Sequence, residues 1–455
     1  MIQLLLAALP AFAEDLSVPY DSFVLKNGLT VVLVPDHSAP IVHVNLWYHV
    51  GSSDEIAGRT GFAHLFEHLM FQGSPSAPGE YFDLLEPVGG EVNGTTSFDR
   101  TNFFETVPSQ YLPLALFVES DRMGWLLDGL DQAKLDNQRD VVRNERRQRY
   151  ENPPYGYANM DLMAALFPDT HPYHHVPIGS HADLEAATLD DVKAFFRNWY
   201  VPDNASLVIA GDFKTSVAKR LVKSYFSGIP ALDRTVERPS LAEPLAAPKK
   251  IVQYQAVPER KVWVAWPSPA MYAPGDAELD LLSHTLANGK DSRLYYALVK
   301  EQRVAKDVSA YQQSLARGGM YIVTATAAEG HTTDEVVAAI DAVLADVLGA
   351  HPPTEDDLTL ARTEYRVGFF DRISTIAGKA DAMNGYQTFT GTPDGFAADL
   401  ARYDAANVAG VVAAAKDVLS KPRVELHIAP LADAPPTAVP PTADTPSPAV
   451  PGGAQ

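Results

Sequence analysis

The sequence contains no cysteine among its 455 residues. This absence excludes disulfides, thiolate metal sites, a cysteine nucleophile and a lipid-modified N-terminal cysteine. Any metal site must therefore use His, Asp or Glu side chains. Basic residues are also few, with 36 Lys and Arg against 57 Asp and Glu and a formal net charge of −21. Such an acidic chain argues against nucleic acid or an anionic membrane as the main partner.

Long apolar runs are missing after the N-terminus, since no later segment approaches the roughly 18 apolar residues of a membrane helix. The N-terminus itself, MIQLLLAALPAFAED, is a short apolar run that contains Ala11-Phe12-Ala13, an A-x-A cleavage pattern. We therefore predict a signal peptide over residues 1–13 and a periplasmic or secreted protein. No Lys or Arg precedes the run, which leaves a buried N-terminal helix turn as the alternative.

The chain is too long for one hydrophobic core, so two domains are expected. Strand and helix patterns fill residues 15–228 and again residues 251–430, although residues 151–180 are predicted to be rich in loops. Residues 229–250 carry four prolines and are predicted to form a linker. Residues 431–455 hold seven prolines with Ala, Thr and Gly, and this tail is expected to be disordered.

The two halves share an order of elements in which a strand leads through a polar turn into a helix, followed by strands and another helix. In the first half that helix carries the sequence H-x-x-E-H at residues 64–68. The matching segment of the second half, Asp280–His284, offers a lone His, which cannot build a metal site. This asymmetry indicates a duplication with one active half.

The motif at residues 64–68 has the spacing of a zinc site. On a helix, His64 and His68 lie on one face with Cβ atoms about 5–6 Å apart, so both imidazoles can bind one ion. Glu67 overlooks the same position, where a general base for water is needed. The alternative is a surface helix with two His. The apolar neighbours Phe66 and Leu69 predict a half-buried pair instead.

Zinc hydrolases use three protein ligands and leave one position for water. The charged helix predicted over residues 131–150 offers Asp136, Asp140 and Glu145 as the third ligand, and the residues alone do not choose between them. Arginines surround Glu145 and either keep it ionised or simply form a solvated helix face. They are Arg143, Arg146, Arg147 and Arg149.

Several ordered motifs give residues 20–430 a resemblance to the pitrilysin/insulinase family of zinc metallopeptidases. Besides residues 64–68, they are Gly51-Ser-Ser-Asp-Glu55, Gly89-Gly-Glu-Val-Asn-Gly-Thr-Thr96, Asp121-Arg122-Met123, His171-Pro172-Tyr173, Ile178-Gly179-Ser180, and Tyr200-Val-Pro-Asp-Asn-Ala205 leading to Gly211-Asp212. In that family the third zinc ligand is a Glu on a later helix. The resemblance implies Glu145, which follows His68 after 76 intervening residues.

The resemblance implies an α+β fold of two homologous halves, each a mixed β-sheet with helices packed on one face, which together form half of a clamshell. It also implies an endopeptidase that uses Zn²⁺, with Glu67 as general base, on peptides or unfolded polypeptides. Substrate in this family adds as a strand to a sheet edge, which Glu91–Ser97 resembles. Asn93 would then contact the substrate backbone, unless it is only a turn or strand-start residue.

Two positions depart from the family pattern. Gln138 stands where the family often has a second Glu, and it can orient the site but brings no charge. The family's Arg and Tyr, which hold the scissile carbonyl and its oxyanion, fall at Val299 and Lys306, and neither can serve. The nearby Arg293 and Tyr295 are interpreted as helix-start and packing residues.

This pattern resembles the family's split enzymes, in which one subunit carries the zinc motif and a homologue carries the Arg/Tyr pair. We therefore predict a homologous partner subunit in a heterodimer, or else a homodimer. The alternative is a non-catalytic peptide-binding or scaffold member, which the missing pair favours and the intact zinc motif opposes. The cluster Tyr173-His174-His175 is interpreted as loop packing, because no regular spacing supports a second metal site.

Overall fold

The computed structural model describes residues 16–231, 241 and 243–435. The predicted signal peptide, part of the predicted linker and most of the predicted tail therefore lie outside the described residues. The start of that tail is described and includes a 3-10 turn over Leu431–Asp433.

The first half is a mixed sheet with helices. Its strands are β1 (Asp21–Val24), β2 (Thr30–Pro35), β3 (Ile41–Tyr48), β4 (Glu91–Thr96), β5 (Thr101–Pro108) and β6 (Ala205–Gly211). Its helices are α1 (Phe62–Leu69), α2 (Phe82–Leu85), α3 (Leu112–Trp125), α4 (Gln132–Arg146), α5 (Ala158–Leu166), α6 (His181–Ala186), α7 (Leu189–Trp199) and α8 (Thr215–Phe226). Among the described strands the order is β1-β2-β6-β3-β5-β4, so β4 lies at one edge.

The second half repeats this plan. Its strands are β7 (Lys249–Gln255), β8 (Lys261–Ser268), β9 (Ala305–Leu315), β10 (Gly318–Ala327) and β11 (Val424–Pro430). Its helices are α9 (Asp276–Ala287), α10 (Arg293–Tyr295), α11 (Thr333–Leu348), α12 (Glu355–Arg372), α13 (Ile376–Thr390), α14 (Phe396–Ala405) and α15 (Val408–Leu419). The sheet order β7-β11-β8-β10-β9 matches β2-β6-β3-β5-β4 strand for strand. The parallel pair also recurs, as β2 with β6 and as β7 with β11, which confirms the predicted α+β fold of two repeated halves.

Both faces of the first sheet are buried, and different parts of the chain cover them. Along β2, Val31 and Leu33 point into the large core that the first half shares with one face of the second sheet, whereas Val32 and Val34 point to the opposite face, since side chains alternate along a strand. That opposite face packs against α13 of the second half, including the fully buried Met383. In return, α5 packs against β8 and β11 of the second sheet. Each half thus contributes one helix that packs against the sheet of the other half.

Most of residues 151–180 lie outside helices and strands, as predicted, and helix α5 is the exception. The sequence there lacks a clear polar face because α5 has the second sheet on one side and its own half on the other. A helix that is buried on more than one side does not show the one-sided apolar pattern by which helices are predicted.

Candidate active site

Helix α1 lies between α4 and the edge strand β4. Its buried apolar side chains are Phe62, Leu65, Phe66 and Leu69. The ring of Phe66 stacks on that of Tyr200 with their centroids 5.1 Å apart, and this contact fixes the rotation of the helix. His64 and His68, one turn apart, therefore share the remaining face, with ring centroids 4.8 Å apart.

Three donor atoms converge beside this face. Glu145 Oε2 lies 3.1 Å from His68 Nε2 and 3.6 Å from His64 Nε2. Among the described His, Asp and Glu residues, this is the one group of three or more whose donor atoms all lie within 4.8 Å of one another. Tetrahedral zinc ligands at about 2.0–2.1 Å from the ion lie about 3.3 Å from each other, so this donor set fits a zinc ion.

The other two candidates for a third ligand lie elsewhere on α4. Asp136 accepts hydrogen bonds from Gln132 and Arg139, and Asp140 is an exposed carboxylate facing Arg143 at 4.0 Å. The geometry therefore separates Glu145 from both, as the family resemblance implied.

The charge states of the donors suit a cation. Burial, reinforced by the positive charge of His68, lowers the pKa of His64 to about 4, so its imidazole is neutral at pH 7. Neutral imidazole is the form that binds metals. Burial alone would raise the pKa of Glu145, but the hydrogen bond with His68 and the positive charge of Arg149 are among the interactions that outweigh it and lower that pKa.

The arginines around Glu145 have different partners. Arg149 Nε lies 3.1 Å from Glu145 Oε1 and so supports its negative charge. Arg143 instead contacts Glu185 in α6, and the buried Arg146 donates to Gly179 O at 3.0 Å. The cluster is therefore not simply a solvated face, because two of its members attach α4 to the segment around α6.

Glu67 lies on the same side of α1, next to β4. Its Oε2 accepts a hydrogen bond from Thr96 Oγ1 at 2.6 Å. Burial raises the pKa of Glu67, and the Thr96 hydrogen bond opposes that rise. A carboxylate with a raised pKa is a better proton acceptor near neutral pH. In the sequence, the only signal for this role of Thr96 is the NGTT motif that it ends.

A buried carboxylate caps α1 at its N-terminus. Glu55 Oε2 accepts from Gly61 N at 2.9 Å, and its Oε1 accepts from Ala63 N at 2.8 Å. Gly61 allows this approach because its φ of +89° favours glycine. His175 Nε2 lies 2.8 Å from Glu55 Oε2 and completes the pairing. His175 is therefore a structural residue that pairs with the α1 cap. Glu55 is that cap, a role that its motif alone did not reveal.

Replacing this cap is expected to destabilise the protein. Glu55→Gln keeps the size of the side chain, but its amide nitrogen cannot accept the bonds that Glu55 accepts from backbone N–H groups. Leaving such a buried donor unsatisfied costs about 1–3 kcal/mol, so the free energy of unfolding should fall by that amount in urea denaturation. Glu86→Gln, an exposed carboxylate just after α2, is the control. Equal stability of the two variants would contradict the capping role.

The other two predicted site residues, Asn93 and Gln138, lie on β4 and α4. Asn93 is exposed on β4, and its Oδ1 accepts from Gly94 N at 2.8 Å. Strand β4 pairs with β5 on one side, and its other side is the open edge among the described strands. Gln138 is 7 % exposed and lies two turns before Glu145 on α4.

The second half lacks an equivalent donor group among its described residues. On α9, the helix that corresponds to α1, His284 Nδ1 pairs with Glu364 of α12 at 2.9 Å. Arg293 pairs with Asp357 at 2.9 Å, which agrees with a structural role at a helix start. Lys306 pairs with Glu259.

Comparisons with known proteins bear on this geometry. Residues 30–174 match a family model described as Insulinase (Peptidase family M16), and residues 186–365 match one described as Peptidase M16 inactive domain. The zinc protease PqqE of Helicobacter pylori is 32% identical over 320 residues, which are 69% of this chain and 71% of that protein. The chain belongs to the insulinase family, M16. This confirms the family that the sequence motifs indicated.

Another relative and two solved structures match over more of the chain. An uncharacterized zinc protease of Mycobacterium leprae is 26% identical over 403 residues, which are 87% of this chain and 88% of that protein. The crystal structure of a protease from Helicobacter pylori superposes with a TM-score of 0.84 at 26% identity, covering 91% of this chain and 100% of that one. The first half of the periplasmic protease PqqL from Escherichia coli shares the fold, with a TM-score of 0.72 at 17% identity over 90% of this chain and 92% of that one.

Within the part of the chain that is described, no helix combines the length and the apolar character that crossing a bilayer requires.

Proposed function

We propose that this M16 chain is a zinc-dependent endopeptidase that hydrolyses peptides or unfolded polypeptides. The observation that carries the proposal is the convergence of His64, His68 and Glu145 beside Glu67. Relatives named zinc proteases support the choice of metal. The same three side chains would hold the ion through two imidazole nitrogens and one carboxylate oxygen.

When bound, zinc would supply Lewis-acid polarisation of the scissile carbonyl and of the attacking water. The chain's own residues move the proton. Glu67 accepts it from the water and delivers it to the leaving amine, so one carboxylate acts first as base and then as acid. Thr96 donates to Glu67 Oε2 and thereby holds that carboxylate against β4, on the side from which substrate would approach.

Substrate would bind by adding a strand to β4. The exposed edge of β4 lies beside α1, so an added strand would run past Glu67. Backbone pairing of this kind requires an extended substrate, which explains a preference for unfolded chains. Asn93, exposed on that edge, is the proposed side-chain contact to the substrate backbone, and the buried Gln138 is proposed to orient the site through α4.

We further propose that the chain works in the periplasm with a homologous subunit. The Escherichia coli relative PqqL is described as periplasmic, which agrees with the predicted signal peptide. Lys306 forms an ion pair with Glu259, and the side chain of Val299 has no polar group. Neither residue is therefore suited to stabilise an oxyanion. A homologue that carries the family's Arg/Tyr pair would complete the site in a heterodimer, and a second copy of this chain is the alternative.

The proposal is tested by incubating the purified chain, alone and beside its homologous subunit, with an unstructured peptide and identifying products by mass spectrometry. Internal cleavage should occur, should stop when a chelator removes the metal, and should return on addition of Zn²⁺. The same sequence held in a folded protein should stay intact. Cleavage that persists without metal would contradict the proposal. A zinc-loaded chain that binds the peptide without cutting it, even beside its homologous subunit, would support the non-catalytic alternative.

A further inference from the structure

The tip of the hairpin between β9 and β10 crosses from the second half to the first. Ala316 N donates a hydrogen bond to Asp99 Oδ2 at 3.0 Å, and Arg317 N donates to the Tyr173 hydroxyl oxygen at 2.9 Å. Tyr173 in turn donates to Asp99 Oδ1 at 2.7 Å. Both oxygens of Asp99 are thus engaged by the tip, one of them directly and the other through Tyr173.

The side chain of Arg317 reaches a second segment of the first half. Its Nη2 lies 2.9 Å from Asp54 Oδ1, and the Asp54 side chain is only 2 % exposed, so water and salt screen this ion pair less than a surface pair. Asp54 immediately precedes Glu55, the cap of α1. The turn that carries Asp54 is also bonded to the β4–β5 turn, because Ser53 N donates to Phe98 O at 2.8 Å.

Asp99 lies in the turn between β4 and β5. That turn is closed by a hydrogen bond from Ser97 N to Arg100 O at 2.8 Å. Thr96, whose hydroxyl binds Glu67, is the last residue of β4 before the turn. Asp99 is only three residues from Thr96. A shift of Asp99 would therefore displace the Thr96 hydroxyl group that holds Glu67.

Apolar packing does not fix this region by itself. A cavity of about 340 Å³ opens between the halves, and its lining includes Asp54, Asp99, Arg317 and, from elsewhere in the second half, Met271 and Phe389. Leu315 anchors one end of the tip in the core that both halves share. On the side that borders the cavity, hydrogen bonds and the ion pair set the position of Ala316 and Arg317 relative to the first half.

We propose that the hairpin tip, residues 315–318, is the element through which the second half positions the active site, and that Arg317 is its main positioning residue. The inference rests on the proposed peptidase function. Arg317 acts through Asp54 on the segment that caps α1, while the tip backbone acts through Asp99 on the β4–β5 turn. The second half, which has no metal motif, would thereby hold the edge strand β4 and Glu67 in their relative positions.

The test compares Arg317→Ala with Lys379→Ala in the full zinc-loaded chain. Lys379 Nζ lies 2.9 Å from Asp36 Oδ2 and also joins the two halves, but from α13 to the end of β2. Each variant therefore loses one ion pair between the halves. Arg317→Lys keeps the charge and should recover part of any loss. The readouts are zinc content, kcat, KM, and amide hydrogen exchange over residues 95–106.

For Arg317→Ala we expect kcat to fall by about tenfold or more, as small misplacements of reacting groups produce, with zinc content unchanged. Exchange over residues 95–106 should be several-fold faster than in the unmodified chain. Lys379→Ala should leave both properties near their original values. The inference is overturned if the two alanine variants agree in exchange and in kcat.

Two further outcomes remain decisive. If Arg317→Ala does not fold, Arg317→Gln, which removes the charge but keeps a polar side chain, carries the test, and exchange over residues 95–106 equal to that of the unmodified chain would contradict the inference. If the unmodified chain cleaves no peptide even beside its homologous subunit, the proposed function fails on its own. The exchange comparison then still decides whether the tip orders the β4–β5 turn.

Discussion

Glu67→Gln should retain zinc and lose at least about 100-fold in kcat, which is the usual size of a general-base contribution. The substitution keeps the shape of the side chain and can still accept the hydrogen bond from Thr96 through its amide oxygen. It removes the ability to take a proton from water. Because Glu67 is not one of the three converging donors, the metal content should not change.

The measurement is steady-state cleavage of an unstructured peptide, together with the zinc content of the same preparation. Glu80→Gln is the matched control, since Glu80 is an exposed carboxylate that pairs with Gln72 near the end of α1. The control should retain its rate. Normal turnover by Glu67→Gln would show that another group moves the proton, and the mechanism proposed above would then be wrong.

His68→Ala should abolish stable zinc binding while leaving the fold intact. Its side chain is 21 % exposed, compared with 10 % for His64, so its loss removes a donor with a smaller loss of packing. Partners that merely orient metal ligands are worth about 10–100-fold in affinity, so the loss of a ligand should cost more than about 100-fold. Zinc titration of the metal-free protein measures this directly.

His284→Ala is the control for that titration. His284 lies on α9, which corresponds to α1 in the second half, and it pairs with Glu364 rather than with other donors. Its replacement should leave zinc affinity unchanged. If His284→Ala weakened zinc binding and His68→Ala did not, the metal would belong to the second half.

The arrangement of His64, Glu67 and His68 was predictable from the sequence because it depends on the period of one helix. The third donor was not predictable on physical grounds alone, since Asp136, Asp140 and Glu145 all lie on the following charged helix. Their distances from His68 depend on how α1 packs against α4, which no local pattern encodes. The family resemblance supplied that choice, and the geometry agrees with it.

Other parts of the site could not be predicted because they join segments that are distant along the chain. Glu55 meets His175 across 120 positions, and Thr96 meets Glu67 across 29. The packing of α5 and α13 against the sheet of the opposite half was not predicted, for a related reason. Apolar periodicity shows that a face is buried, but it does not show which half buries it.

The proposed mechanism requires that His64, His68 and Glu145 together hold one zinc ion. The most direct measurement is anomalous diffraction at the zinc absorption edge from crystals of the full chain grown with Zn²⁺. We predict a single strong peak between the two Nε2 atoms and the Glu145 carboxylate. A map with no peak there, or with its strongest peak bound by other residues, would contradict the claim.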